Sequence, residues 1–112
     1  MKFMLLFAGG DPNLTVSAPD TDAKMQQMKR WGDWVGGLAK RGLLVSGLPF
    51  LETGKIVTGT GVTEFRKGED DFSGYAILEV QSEQEAVAIA RTAPHIVFGG
   101  TTVVRPCLEV PH

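Results

Sequence analysis

Residues 2 to 8 carry apolar side chains on both alternating sets of positions, with Phe3, Leu5 and Phe7 on one and Met4, Leu6 and Ala8 on the other. A strand of that kind needs cover on both faces. Residues 74 to 80 repeat the pattern, apolar at nearly every position. Gly9 to Pro19 is rich in turn formers and reads as a loop, after which Asp20 or Thr21 caps a helix running to about Arg41. Met28, Trp31, Val35 and Leu38 follow the spacing of one buried helix face, which leaves Lys24, Gln27, Lys40 and Arg41 to solvent. Gly42 is placed to end the helix as its C-terminal cap. Gly36-Gly37 costs the helix about 1 kcal/mol per glycine relative to alanine, and suits close packing on a sheet.

Leu43 to Gly47 reads as a second strand, and the Val, Thr and Gly content of Lys55 to Phe65 predicts a hairpin around Gly59-Thr60-Gly61. Arg66 to Asp71 is a charged, solvated loop. Ser82 and Glu85 have the spacing of a capping box and open a second helix, with Ala86, Ile89, Ala90 and Ala93 inward and Pro94 closing it. The last strand, about Thr101 to Val110, sets Val104, Leu108 and Val110 against Arg105, Cys107 and Glu109 on its other face. Pro106 has no amide to donate, so this strand belongs at a sheet edge.

The order is strand, helix, strand, hairpin, strand, helix, strand. It predicts an α+β fold in one domain, residues 1 to 112: a ferredoxin-like split βαβ pattern with an antiparallel sheet and two helices on one face. Two helices cover only one side, while the strands at 2 to 8 and 74 to 80 are apolar on both. A second copy of the chain, packed sheet to sheet as a homodimer, is the economical cover.

Composition narrows the function classes. Hydrophobic residues at 43% and charged residues at 21% are those of an ordinary globular protein, and a net charge of -2 gives no reason to bind nucleic acid. The apolar start mimics a signal peptide but stops at Gly9-Gly10-Asp11-Pro12, and no run approaches the roughly 20 apolar residues that span a bilayer, so no membrane partner is expected. The single cysteine, Cys107, excludes an internal disulfide and a Cys-rich zinc site, and points to the reducing cytoplasm.

Chemistry concentrates near the second helix end. His95, the only histidine apart from the terminal His112, follows Pro94 and precedes Gly99-Gly100. An imidazole with an ordinary pKa of about 6.5 can take up and return a proton, and a junction between elements is where clefts form. The plainer reading is a histidine that satisfies carbonyls at a helix end. A catalytic histidine also wants an orienting carboxylate, for which Asp70, Asp71 and Glu79 are candidates. Trp31 and Trp34 sit three apart on the first helix and either stack on a planar substrate or, as large rings usually do, fill the core. Arg105 can grip a carboxylate through paired hydrogen bonds or bind Glu109 along its own strand. Cys107 has no evident neighbouring base and reads as structural. Neither glycine pair has phosphate-loop spacing, and no metal-ligand spacing is present.

Several stretches together resemble the YCII-related (YciI-like, DGPF-domain) family. They are Met1 to Leu6, Trp31 to Gly47, Gly74 to Val80, and above all Ala93-Pro94-His95-Ile96 followed by Gly99-Gly100-Thr101-Thr102-Val103-Val104-Arg105-Pro106. The resemblance implies a ferredoxin-like protomer forming a dimeric α/β barrel, with an active site built on a histidine and an aspartate. Some relatives act on chlorinated aromatic ring-cleavage or hydroquinone-type compounds and eliminate halide. Residues 24 to 30 lack the helix histidine of some relatives, and residues 62 to 71 lack the Asp-Gly-Pro-Phe tetrapeptide of another branch. Only His95 therefore carries over by position, and dehalogenation does not.

The resulting expectation is a small cytoplasmic homodimeric enzyme acting on a small molecule without a cofactor, by elimination or isomerisation. His95 is its general acid/base, a carboxylate such as Asp71 orients it, and Trp31 and Arg105 shape the substrate pocket. A noncatalytic ligand-binding or regulatory dimer is the competing expectation. A haem-binding barrel is weaker, because no second internal ligand accompanies His95.

Overall fold

The structure is a computed structural model that describes residues 1–10 and 19–110. Its chain order is β1 (Lys2–Ala8), α1 (Asp22–Lys40), β2 (Leu44–Pro49), β3 (Thr53–Thr58), β4 (Gly61–Arg66), β5 (Phe72–Glu79), α2 (Glu83–Ala90), a 3-10 turn (Ile96–Phe98) and β6 (Thr101–Pro106). The main sheet runs β2-β5-β1-β6 with every neighbouring pair antiparallel, and β3-β4 stands apart as a two-stranded sheet. This is the expected ferredoxin-like α+β arrangement, with β6 and its Pro106 at the edge. The predicted loop before the first helix falls largely outside the described residues.

Register sorts the side chains by face. Phe3, Leu5 and Phe7 lie opposite Leu78, Ala76 and Gly74 of β5, and this set is buried beneath Leu38 of α1 and Ala86, Ile89 and Ala90 of α2. Burying those chains on one side of the sheet is the main stabilising term, at about 1.5–3 kcal/mol for each large one. The opposite face shows Met4, Leu6, Tyr75 and Ile77, each half-buried, with Val103 and Leu48 more exposed. The two-faced hydrophobicity read from the sequence is therefore real, and one face of the sheet has no layer over it among the described residues.

Both helices start where their caps predict. The Thr21 hydroxyl accepts the Lys24 amide at 3.1 Å, and the Ser82 hydroxyl accepts that of Glu85 at 3.2 Å. The Glu85 carboxylate reaches back to the Gln81 amide, one residue earlier than a standard capping box requires. Gly42 takes the left-handed conformation, φ 71°, that ends α1.

Four expectations are corrected. The buried stripe of α1 runs through Lys24, Gln27, Trp31 and Leu38, so Lys24 and Gln27 are inside and Met28 is exposed. Gln27 tolerates burial because its amide donates to the Pro94 carbonyl at 3.0 Å, and Lys24 pairs with Asp20 at 3.3 Å. A Cβ added to Gly36 or Gly37 would meet nothing within 4 Å, so that pair makes no close approach to the sheet. The last strand stops at Pro106, leaving Leu108 and Val110 exposed, and α2 ends at Ala90, well before Pro94.

Candidate functional site

His95 closes the connection from α2 to β6 and caps the 3-10 turn. It lies at the expected junction, but inside the protomer with only 3% of its surface exposed. Its Nε2 is 2.8 Å from the Thr101 carbonyl and 3.2 Å from the Thr102 hydroxyl. A carbonyl only accepts, so Nε2 carries the proton and donates it to Thr101. The neutral tautomer then has its lone pair on Nδ1, which is buried and has no hydrogen-bond partner among the described residues. An unfilled buried acceptor costs about 1–3 kcal/mol, so this atom is either a stored liability or a base awaiting a proton.

The ring is held on every side. Phe7 meets it edge-on at 5.3 Å, and Trp31 lies across it at 5.3 Å with the planes 33° apart. Phe7 also contacts Trp31 and Trp34 edge-on, at 5.1 and 5.8 Å, and the indoles touch each other at 5.6 Å. Trp34 is anchored by Nε1, which donates to the Thr92 hydroxyl at 2.8 Å. Two glycines complete the enclosure. A Cβ on Gly10 would stand 2.8 Å from the His95 Cβ, and one on Gly100 would stand 2.4 Å from its Cδ2. The Gly100 amide also donates to the His95 carbonyl at 3.0 Å.

Burial pushes the His95 pKa below its ordinary 6.5, and the hydrogen bond to Thr101 offsets only part of that. The unfolded chain therefore binds this proton at a higher pH than the folded protein does. Stability from this group is complete above about pH 6.5 and is lost as pH falls from there toward the lowered folded value. Urea unfolding midpoints should drop between pH 7.5 and 5, and His95→Gln, which can keep the bond to Thr101, should flatten that part of the profile. An unchanged slope in the variant would mean that other groups carry the acid sensitivity.

The remaining candidates are distributed elsewhere. Arg105 is opposite Met4 on the uncovered face of the sheet, whereas His95 and Trp31 lie on the helix side. Arg105 makes no ion pair among the described residues, with Glu109 or any other group. Asp71 is exposed, and its Oδ2 accepts the Gly68 amide at 2.6 Å, closing a turn just before β5. The bond that orients His95 comes from the Thr101 carbonyl. Ala8 pairs with both Phe72 and Thr101, which sets Asp71 at the same sheet end as His95 but two strands across, on the order of 10 Å. Asp70 is exposed, and Glu79 faces the Met1 amino group at 3.8 Å.

No family model matches the sequence, and no curated protein matches it either. Among solved structures the chain is similar to 5-chloro-2-hydroxyhydroquinone dehydrochlorinase from Burkholderia phenoliruptrix in complex with 2,5-dihydroxybenzoquinone. The TM-score is 0.60 at 15% identity, over 98% of this chain and 96% of that one. The two share a fold. At that identity the likeness extends to the backbone arrangement, and the side chains of the site have to be judged by their own geometry.

On that geometry, sequence reading missed Phe7, Thr101, Thr102 and the glycines Gly10 and Gly100 as partners of His95, and Gln27 as the partner of the neighbouring Pro94 carbonyl. Gln27 was recoverable, since it stands four residues before Trp31 and shares its face. The pairing that brings Thr102 opposite Phe7 is a long-range register that no local pattern announces.

Proposed function

We propose that this chain is a YCII-related protein that performs cofactor-independent acid/base chemistry on a small planar molecule, with His95 as the proton-accepting group. The observation that carries the reading is the unpartnered Nδ1 of a neutral imidazole, held against Trp31 and Phe7 and oriented through Nε2. An oriented neutral imidazole is the form a general base needs at neutral pH. In an elimination, Nδ1 takes a proton from the substrate, the electron pair left behind forms a new π bond, and the leaving group departs with its bonding pair. In an isomerisation the same proton returns to another atom. A flat substrate ring is proposed to lie against the Trp31 indole, which suits the hydroquinone and quinone chemistry in the name of the structural neighbour. Asp71, at the same end of the sheet, is the proposed second polar group toward substrate, and Arg105 is left to the other face.

The dimer belongs to this reading. The uncovered sheet face, with Met4, Leu6, Tyr75, Ile77, Leu48 and Val103, is the apolar surface available for a second copy.

The closed surroundings of His95 favour a second reading, a noncatalytic ligand-binding module in which the histidine is structural. Purified protein mixed with chlorinated hydroquinones and with 2,5-dihydroxybenzoquinone separates the two, monitored by ring absorbance, chloride release and quenching of tryptophan fluorescence. Turnover that falls at least 100-fold in His95→Gln, with the fold intact by circular dichroism, is the expected result. Binding without turnover in the wild type supports the module, and turnover unchanged in the variant removes His95 from the chemistry.

A further inference from the structure

We infer that Gln27 is the positioning residue of His95, acting through the Pro94 carbonyl, a role that rests on the acid/base reading and names what holds the base in place. α2 ends at Ala90, and the chain from there to β6 runs through turns. The backbone amides of this connection donate to other carbonyls: that of Ile96 to Ala93 at 3.2 Å, and those of Phe98 and Gly100 to His95 at 3.1 and 3.0 Å. The Pro94 carbonyl is met by a side chain, the Gln27 amide, whose Nε2 donates to it at 3.0 Å. The peptide that joins Pro94 to His95 is therefore held from α1. Turning that peptide would swing the direction in which the His95 side chain leaves the backbone, and with it the bond from Nε2 to Thr101.

Position 27 is a costly place for an amide. It is 2% exposed, on the buried stripe that continues to Trp31 and Leu38, where an apolar side chain of similar size would pack without giving up water. A buried amide is tolerated where its polar atoms find partners. Both ends of this one are directed. Arg30 Nη1 donates to Oε1 at 3.3 Å, which assigns the oxygen to that side and turns the nitrogen toward Pro94. One helical turn on, Trp31 lies across the His95 ring. α1 thus holds the histidine at two points, the ring through an indole and the backbone through an amide. A reacting group has to be kept within about 0.5 Å of its working position, which calls for such support.

The test compares wild type, Gln27→Met and Leu38→Ala by NMR of the His95 ring nitrogens and their protons. Methionine matches glutamine in length and cannot donate, whereas Leu38→Ala weakens the same buried stripe roughly 16 Å further along the helix. The expected wild-type ring carries its proton on Nε2 alone. Gln27→Met should move the Nε2 proton resonance upfield and bring the Nδ1-protonated tautomer into view, while Leu38→Ala lowers the unfolding midpoint and leaves the ring signals in place. Where turnover is measured, kcat should fall on the order of tenfold in Gln27→Met with KM little changed, as a misplaced reacting group predicts. If the methionine variant does not fold, Gln27→Asn, whose amide is one methylene too short to reach Pro94, should displace the same signals. Ring signals at their wild-type positions, or displaced equally in Leu38→Ala, overturn the role of Gln27 and leave the acid/base reading standing. An unchanged rate in His95→Gln overturns that reading instead, and the two failures are told apart because the ring signals need no turnover.

Discussion

Phe7→Ala should destabilise the protein by about 3–5 kcal/mol, the range for deleting a buried aromatic ring. Phe7 is only 5% exposed, and its ring touches Trp31, Trp34 and His95 together. The upper part of the range is expected because its neighbours are flat rings fixed by other bonds. Trp34 is tied to Thr92, and His95 to Thr101. Neither can swing into the space without giving up that bond, so the cavity stays open. Urea unfolding read by tryptophan fluorescence measures the loss directly, and the folded-state emission should change because both indoles lose their edge-on neighbour. A cost below about 1.5 kcal/mol would show that the cluster refills and that Phe7 is not its centre.

Gly100→Ala should cost about 3 kcal/mol, near the top of the range for overpacking, although it adds a single methyl group. That methyl would lie 2.4 Å from the His95 Cδ2 and 2.8 Å from the His95 carbonyl oxygen, closer than real Cβ contacts come. The imidazole cannot retreat, since Phe7 and Trp31 occupy its other sides. The strain should therefore appear at the site as well as in stability, as a shift in the His95 ring resonances and, where turnover is measured, a fall in rate. Gly36→Ala is the matched control. It adds the same methyl in a helix with nothing within 4 Å, and should be neutral or stabilising by up to about 1 kcal/mol. Equal losses in the two variants would mean that Gly100 is not a packing constraint on His95.

How far the site was legible follows from the range of each signal. The candidate histidine could be found because its surroundings in sequence are distinctive: a helix end, a proline, then paired glycines before a strand. Its state could not. Whether an imidazole at a junction is open or enclosed depends on Phe7 from the first strand, Trp31 from the first helix and Gly10 beyond the first strand, which meet only after folding. Gln27 shows the same limit in reverse. A polar residue on a helix reads as solvated until a partner for it is known, and its partner, the Pro94 carbonyl, is 67 residues away.

Local rules were enough wherever the cause was local. The caps at Thr21 and Ser82, the turn between β3 and β4, the edge position of Pro106 and the two-faced β1 all follow from hydrogen-bond donors, backbone freedom and side-chain alternation within a few residues. Register and burial are long-range quantities. The pairing of β1 with both β5 and β6 sent Arg105 to the uncovered face, put Thr102 beside His95, and left Asp71 across the sheet. A strand's period of two makes each residue's face depend on its partner strand, so which side chains meet at this site was settled by the assembled sheet.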